Sequence, residues 1–355
     1  METRKIQRVS HGTYTVSLPR EWATEQDLTA GDVVNIHPSL DGALVVQPAE
    51  DELARIEMRV SEETPRQLTR LLRAAYAVGV LEVDLRTEEL ATEQQAAIRS
   101  TVRTLSGVTI AEESPSHVTV RNVLDSEQIS IRQSVRHLQS VALSQHREAT
   151  ATLCDPAVET RPAAGNGHRT HLSAMVERYF VRSLSRLDEV DRLGEARSDL
   201  FCFYRLADEF TRIESCADRI ATVATADENG CLDGHDNETP AEIEAIAGDT
   251  RQAVETAADA VFDPDLTAIW SVFDVRESVD TELDELERRL FESPDVDYRA
   301  GRVIAALRGS ADVATSIAEL ALRRGIRLGA LDSGSVGDET STNTDWSPAA
   351  PNTED

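Results

Sequence analysis

The sequence predicts a multidomain, mainly α-helical protein with a small β domain at its N-terminus, a small α/β domain after it, and then two tandem three-helix bundles. The first observation is length, because 355 residues exceed what one compact domain usually holds. The second is that strand-like runs bounded by turn residues lie within residues 1–121. The third is that residues 122–329 carry apolar residues three and four apart, which is the helical period.

Residues 1–50 are predicted to form a compact β unit with the order β-β-α-β-β. Two strand-like runs come first, a short helix should begin after Pro19, and two more strand-like runs flank the turn dipeptide Asp41-Gly42. A unit this short buries too little apolar surface alone to be stable. We therefore expect it to dimerise.

Residues 51–121 are predicted to be a small α/β domain. Strand-like runs alternate here with helical patterns at 65–78 and 92–105, which favours crossover connections onto one sheet. The sequence leaves the role of this domain open between dimer contacts and a small-ligand site.

The helical region at residues 122–329 is predicted to divide into bundles at about 122–226 and 240–328, on either side of a polar linker. The last helix of each bundle carries a similar run of small and apolar residues, one starting at Ala217 and the other at Ala314. Three helices on either side of one linker, together with this likeness, favour an internal duplication.

The start of the helical region and the C-terminal residues that follow it show different sequence patterns. The first helix is expected to have an apolar stripe from Leu124 to Ala142, and the second a stripe from Leu172 to Val190. Residues 330–355 are polar and acidic, and they are predicted to be a disordered tail because they cannot bury enough apolar surface to become ordered.

Composition predicts a cytoplasmic protein. The formal net charge is −28, and Lys5 is the only lysine. Many carboxylates with almost no lysine are typical of a surface suited to a salt-saturated, haloarchaeal-type cytoplasm, although an acidic protein from a GC-rich genome gives a similar composition. We find neither a transmembrane-length apolar run nor a signal-peptide pattern, and the four cysteines show no paired spacing for a disulfide framework or zinc ribbon.

Four basic residues stand out near the start of this acidic chain, and Glu2 is the only acid among the first twenty residues. A positive segment that departs from the trend of the whole chain is suited to a phosphate backbone, and a two-stranded ribbon fits the major groove. The alternative is a dimer interface in which these side chains pair with acids of the other subunit. The candidate DNA-binding residues are Arg4, Lys5, Arg8 and Arg20.

The stretch RKIQRVSHGTYTVSLPREWATEQDLTAGDVVNIHPSLDGALVVQP, residues 4–48, resembles the AbrB/SpoVT family of swapped-hairpin domains. The resemblance rests on the core YTVSLPREWA followed by the pattern L-x-x-G-D-x-V. It implies an intertwined homodimer that contacts DNA through its basic N-terminal strands. The same family includes antitoxins, whose partner is a small toxin protein.

The helical region resembles PhoU, the phosphate uptake regulator, in its two triplets of helices. Many members of that family carry E-R-I-x-D-H-A on the third helix of each bundle, where the carboxylates bind metal. This chain has TRIESCA at 211–217 and RGSADVA at 308–314, so most of those carboxylates are replaced. We therefore expect no cofactor. The weak candidate metal ligands are Glu214, Asp218 and Asp312.

Other sequence motifs argue against catalysis. His168 and His171 have the spacing of half a zinc site, but no second pair of ligands follows at a suitable spacing. The chain has no glycine-rich phosphate loop, no G-x-S-x-G and no H-E-x-x-H, so we expect no enzyme activity.

Two hypotheses about function follow, with an antitoxin as a third. The first is a DNA-binding transcriptional regulator of phosphate uptake and phosphate homeostasis, with a phosphate transporter or sensor protein as a possible partner. The second is an adaptor that docks on a phosphate transporter or its sensor without binding DNA. The large helical region exceeds what an antitoxin needs.

Overall fold

A computed structural model describes residues 3–10, 12–38, 44–48, 55–124, 126–154, 167–225, 239–292 and 298–330. Helices make up most of these residues, so the mainly α prediction is confirmed, and the strands belong to three separate sheets. None of the helices in these ranges is both long and apolar enough to cross a bilayer. Apart from Ala330, the predicted tail lies outside the described residues.

The N-terminal elements form the hairpin unit, which we define as the described residues between 3 and 48. Its predicted β-β-α-β-β order is confirmed, and Gly12 has a φ of +100° in the first turn, where glycine is favoured. The predicted Asp41-Gly42 turn lies outside the described residues. The elements are β1 (Gln7–Ser10), β2 (Thr13–Thr15), α1 (Arg20–Glu25), β3 (Val34–Pro38) and β4 (Leu44–Pro48).

Apolar side chains of the hairpin unit stay on its surface. Strand β1 pairs with β2, and β3 pairs with β4, in two separate antiparallel sheets that cover little of each other. None of the side chains described in this unit is buried. Single exposed apolar residues are ordinary, but a concentration of them marks an interaction surface. The exposed set, 40–71% accessible, is Ile6, Val9, Tyr14, Val16, Leu18, Val33, Ile36 and Leu44.

The next segment folds around one four-stranded sheet in the order β5-β6-β8-β7. Strands β5 and β6 are parallel because helix α2 connects them as a crossover, whereas β8 runs antiparallel to both of its neighbours. The elements are β5 (Arg55–Arg59), α2 (Pro65–Val78), β6 (Glu82–Arg86), α3 (Thr92–Arg103), β7 (Val108–Ser114) and β8 (His117–Asn122).

One face of this sheet packs on its helices and the other carries charge. Leu68 of α2, Leu85 of β6 and Ile98 of α3 are buried in the same core. On the opposite face Asp84 is fully buried beneath its neighbours. It accepts hydrogen bonds from Thr119 Oγ1 at 2.7 Å and Arg55 Nε at 2.7 Å. The buried carboxylate on the charged face therefore has its hydrogen-bond partners within this segment.

Long helices make up the remainder of the described chain. Helices α4, α5 and α7 pack together as the first triplet, and α8, α9 and α10 as the second. The triplets join where α4 meets α8 and α7 meets α10. The predicted boundaries of the individual domains stay predictions. The helices are α4 (Ile131–Cys154), α5 (Gly167–Ser185), α6 (Leu187–Leu193), α7 (Arg197–Ala224), α8 (Thr239–Phe262), α9 (Leu266–Glu292) and α10 (Tyr298–Leu328).

Two helix predictions in this region are wrong. Leu124 lies before α4 in a non-helical stretch, where it packs over Gly107 and its backbone N–H donates to Asn122 Oδ1 at 3.0 Å. The predicted stripe from Leu172 to Val190 is not one helix, because Arg186 adopts an extended conformation between α5 and α6. In both places apolar residues that are spaced like those of a helix make tertiary contacts outside one continuous helix.

A buried polar cluster lies where the two triplets meet. His146 of α4 is 1% exposed; its Nε2 lies 3.1 Å from Ser310 Oγ and its Nδ1 lies 3.5 Å from Arg251 Nη1. Because an arginine only donates, Nδ1 is the accepting nitrogen and Nε2 carries the proton. Burial and the positive charge of Arg251 lower the pKa of His146 to about 3.

We predict that His146 makes the folded state sensitive to acid. Between pH 6.5 and about 3 the unfolded chain takes up a proton at this residue and the folded chain does not, so stability is lost as the pH falls. His146→Gln removes this effect. The free energy of unfolding, measured by denaturant titration, should therefore fall less steeply with pH in the variant, by up to about 1.4 kcal/mol per pH unit.

The control variant is His137→Gln, which removes an exposed imidazole from the same helix. Equal pH slopes for the wild type and His146→Gln would contradict this role of His146.

Candidate nucleic-acid interface

The four candidate DNA-binding residues all lie on the surface of the hairpin unit. Arg4 and Lys5 come directly before β1, Arg8 lies within it, and Arg20 begins α1. All four side chains are exposed. The structure therefore leaves the predicted basic segment accessible within one chain.

Strands β1 and β2 form a two-stranded ribbon, and their register places Arg8 beside an aromatic ring. Arg8 and Tyr14 are cross-strand partners, so their side chains leave the same face of the ribbon. The register shifts between Arg8 and Ser10, which is an irregularity that locally bends a ribbon. A ribbon of this width fits the major groove of B-form DNA.

The acids of the hairpin unit lie outside the basic segment. Residues 3–20 contain no aspartate or glutamate. Asp32 is engaged locally, where its carboxylate accepts hydrogen bonds from Thr29 N at 2.6 Å and Thr29 Oγ1 at 3.0 Å. These hydrogen bonds lower the pKa of Asp32. Its charge thus stabilises the loop before β3.

The weak metal candidates do not come together. Glu214 is buried on α7, whereas Asp218 is exposed on the same helix. On α10, Asp312 Oδ1 accepts a hydrogen bond from Arg276 Nη2 at 2.8 Å. Within the described part of the chain, no group of three or more His, Cys, Asp or Glu side chains is placed to hold a metal ion. The side chain of His168 lies outside that part.

Sequence reasoning missed two buried arginines that join α5 to the α/β segment. Arg178 is 1% exposed and donates to Tyr76 O at 2.6 Å and to Gly79 O at 3.1 Å. Arg182 is 8% exposed and donates to Gly79 O at 2.8 Å and to Glu189 Oε2 at 2.8 Å. Burial and the neighbouring Arg182 charge lower the pKa of Arg178 to about 10, so it stays protonated at neutral pH.

The junction of α5 and α6 also contacts the hairpin unit. We call residues 182–193 the elbow. Gln47 Nε2 of β4 donates to Ser185 O, and His37 Nδ1 of β3 lies 3.3 Å from Asp191 Oδ2. The position of Arg178 within an apolar stripe could have indicated a buried arginine. Charged residues at such positions, however, usually extend to solvent. No local pattern indicated the contacts with β3 and β4.

A cleft of about 610 Å³ lies at the carboxyl ends of the parallel strands β5 and β6. Its lining combines Arg59 and Arg86 with Glu62, Glu88 and Glu89. Arg86 is already paired with Glu57 at 3.3 Å. The mixed charges select neither anions nor cations, so the role of the α/β segment stays open.

Comparison with known proteins identifies one part of the chain. Residues 7–53 match the family model described as antidote-toxin recognition MazE, bacterial antitoxin. This match covers the hairpin unit from Gln7 onward, which leaves out Arg4 and Lys5, and it spans a small fraction of the 355-residue chain. No curated protein matches the chain. No solved structure matches it either.

We predict that Gly79→Ala destabilises the protein more than Gly31→Ala. Both glycines have a φ near +100°, so both substitutions strain the backbone. At Gly79 the new Cβ would also lie 2.5 Å from Arg182 Cγ, whereas nothing lies within 4 Å at Gly31. The added displacement of Arg182 should cost about 1–3 kcal/mol in the free energy of unfolding, measured by denaturant titration. Equal losses would show that Arg182 moves aside freely.

Proposed function

We propose that the chain is a DNA-binding transcriptional regulator that contacts DNA through the basic ribbon of the hairpin unit. The observation that supports this most is the exposed positive segment at Arg4, Lys5 and Arg8 in a chain with a net charge of −28. The hairpin unit from Gln7 onward, including Arg8, also lies in the region that matches the MazE-type model. Guanidinium groups on such a ribbon can bind phosphates or guanine edges.

The proposed DNA-binding form is a homodimer of the hairpin unit. Within one chain, side chains such as Ile36 and Val33 remain 57% and 71% exposed. A second copy that interleaves its hairpins would bury this surface and would present two basic ribbons related by a twofold axis. Two ribbons on one duplex bind more tightly than one, because the second contact is made at a high effective concentration.

The proposed regulatory pathway is phosphate uptake. This part of the proposal rests on the resemblance of the helical region to PhoU, which has two triplets of helices. The triplets would sense the state of a phosphate transporter or its sensor, and the hairpin unit would pass that state to a promoter. An adaptor that docks on the transporter without binding DNA is the alternative.

A second candidate function is toxin neutralisation, which the description of the matching family favours. Antitoxin domains of this kind bind DNA as well, so DNA binding alone does not separate the two functions. Co-expression of the chain with the product of an adjacent small gene separates the two functions. A stable complex that relieves toxicity would favour the antitoxin function.

We predict that replacing Arg4, Lys5 and Arg8 together with alanine weakens DNA binding about tenfold to a hundredfold. Each lost cation removes a phosphate or base contact, and the slope of log affinity against log salt should fall by about 3. The probe is a duplex that the wild-type chain selects from a random-sequence pool, and the measurement is fluorescence anisotropy.

The control variant replaces Arg66, Arg70 and Arg73, three exposed arginines of α2, and therefore changes the net charge equally. Similar losses of affinity in both variants would mean that binding is not localised to the ribbon. If the first variant loses DNA binding but phosphate-dependent transcription of uptake genes persists in cells, the adaptor function is correct.

We predict that the wild-type chain is a dimer, with about twice its 39.0 kDa mass by light scattering, and that Ile36→Glu dissociates it. A carboxylate in place of this exposed apolar side chain would be buried without a partner in the dimer, which is strongly unfavourable. Ile326→Glu is the control, since Ile326 is 65% exposed on α10. A monomeric wild type would refute the homodimer.

A further inference from the structure

The elbow contacts three parts of the molecule at once. It continues from α5 of the first triplet, it binds the end of α2 through Arg182, and it meets β3 and β4 of the hairpin unit. A short segment with contacts to all three is positioned to carry a displacement of one part to another.

The contacts on the inner side of the elbow are buried and charged. Arg182 links the carbonyl of Gly79 to the carboxylate of Glu189, and Glu189 is only 1% exposed. Breaking a buried ion pair by removing one partner is strongly unfavourable, because it leaves an uncompensated buried charge. The inner side therefore moves with α5 and α2 as one rigid piece.

The contacts on the outer side are more exposed. Asp191, which faces His37, has a side chain that is 51% exposed, and the His37 side chain is 21% exposed. Because solvent reaches both side chains, this polar contact is weak. The Gln47 side chain adds one hydrogen bond to Ser185 O. Weak contacts can break and form again when the elbow shifts, whereas strong contacts would oppose the shift.

We propose that the elbow is a regulatory connection that holds the hairpin unit, through its β3–β4 hairpin, in the position in which the β1–β2 ribbon binds DNA, and that loses this hold when α5 is displaced. The proposal rests on the proposed DNA-binding function. Holding the hairpin in place lowers the entropy lost on binding, so release of the elbow weakens DNA affinity. A signal received by the helical triplets reaches the DNA in this way.

The test is a double-mutant cycle measured as DNA affinity. The inner variant is Arg182→Met with Glu189→Gln, in which no buried carboxylate is left unpaired. The outer variant is Gln47→Leu with Asp191→Asn. The probe is the duplex that the wild-type chain selects from a random-sequence pool.

We expect the inner and outer variants each to weaken DNA binding about fivefold, which is the lower end of typical coupling between two sites. The chain that carries all four substitutions should bind no more weakly than the outer variant, because the inner change acts through the outer contacts. Independent effects that multiply would overturn the proposal, since uncoupled sites are additive in free energy. An inner variant with unchanged affinity would also overturn it.

A matched control removes a similar buried arginine elsewhere. Arg324 is 6% exposed, donates to Val261 O at 2.8 Å near the end of α8, and bonds to Asp199 Oδ1 at 2.9 Å. Arg324→Met with Asp199→Asn should lower stability and leave DNA affinity unchanged. If the control weakens DNA binding as much as the inner variant does, the effect comes from a general loss of stability, and the proposed role of the elbow is refuted.

A second measurement does not require DNA. Amide hydrogen exchange in β3 and β4 should become faster in the inner variant and stay unchanged in the Arg324→Met control. Unchanged exchange in the inner variant would overturn the proposal on its own. If the wild type binds no duplex but exchange responds as expected, the DNA-binding function fails and the mechanical link between elbow and hairpin stands.

Discussion

The buried guanidinium groups of Arg178 and Arg182 join helix α5 to the α/β segment. The last carbonyls of a helix lack partners within it, and a buried cation needs acceptors. At the end of α2, Tyr76 O and Gly79 O supply the acceptors, and the negative end of the helix dipole favours the positive charge. Gly79 permits the close approach because a side chain there would overlap Arg182. The direction of α5, and with it the position of the elbow, follows from this contact.

The hairpin unit differs from the rest of the chain in both charge and burial. The helical triplets bury large apolar residues such as Phe203 and Phe210, whereas none of the side chains described in the hairpin unit is buried. The basic segment belongs to the same unit. The proposed dimer on DNA would account for both features, because one side of the unit would contact a second copy while the ribbons face phosphate. An acidic helical region would be repelled from DNA and would help to keep the ribbon as the point of contact.

The sequence predicted elements well where the signals were local. The helix predicted at 65–78 is α2, Pro65–Val78, because Thr64 and Gln67 form a capping box and Pro65 occupies the first turn. The concentration of positive charge at Arg4, Lys5, Arg8 and Arg20 was visible in the sequence, and the structure leaves all four side chains exposed. The predicted helix across Arg186 was wrong because the spacing of apolar residues contains no information about the contact between Glu189 and Arg182. The two buried arginines were missed because a charged residue in a helical stripe is normally solvated.

Sequence alone determined most of the strand and helix segments, where charge is concentrated, and that the hairpin unit is too short to bury a stable core alone. These properties depend on residue type and on spacing within a few turns of chain. Only the tertiary structure decided that Arg178 and Arg182 are buried, that the helix breaks at Arg186, and that the elbow meets β3 and β4. Apart from the contact between Arg182 and Glu189, those outcomes depend on residues about a hundred or more positions apart, and the gain from their contact exists only after the chain has folded.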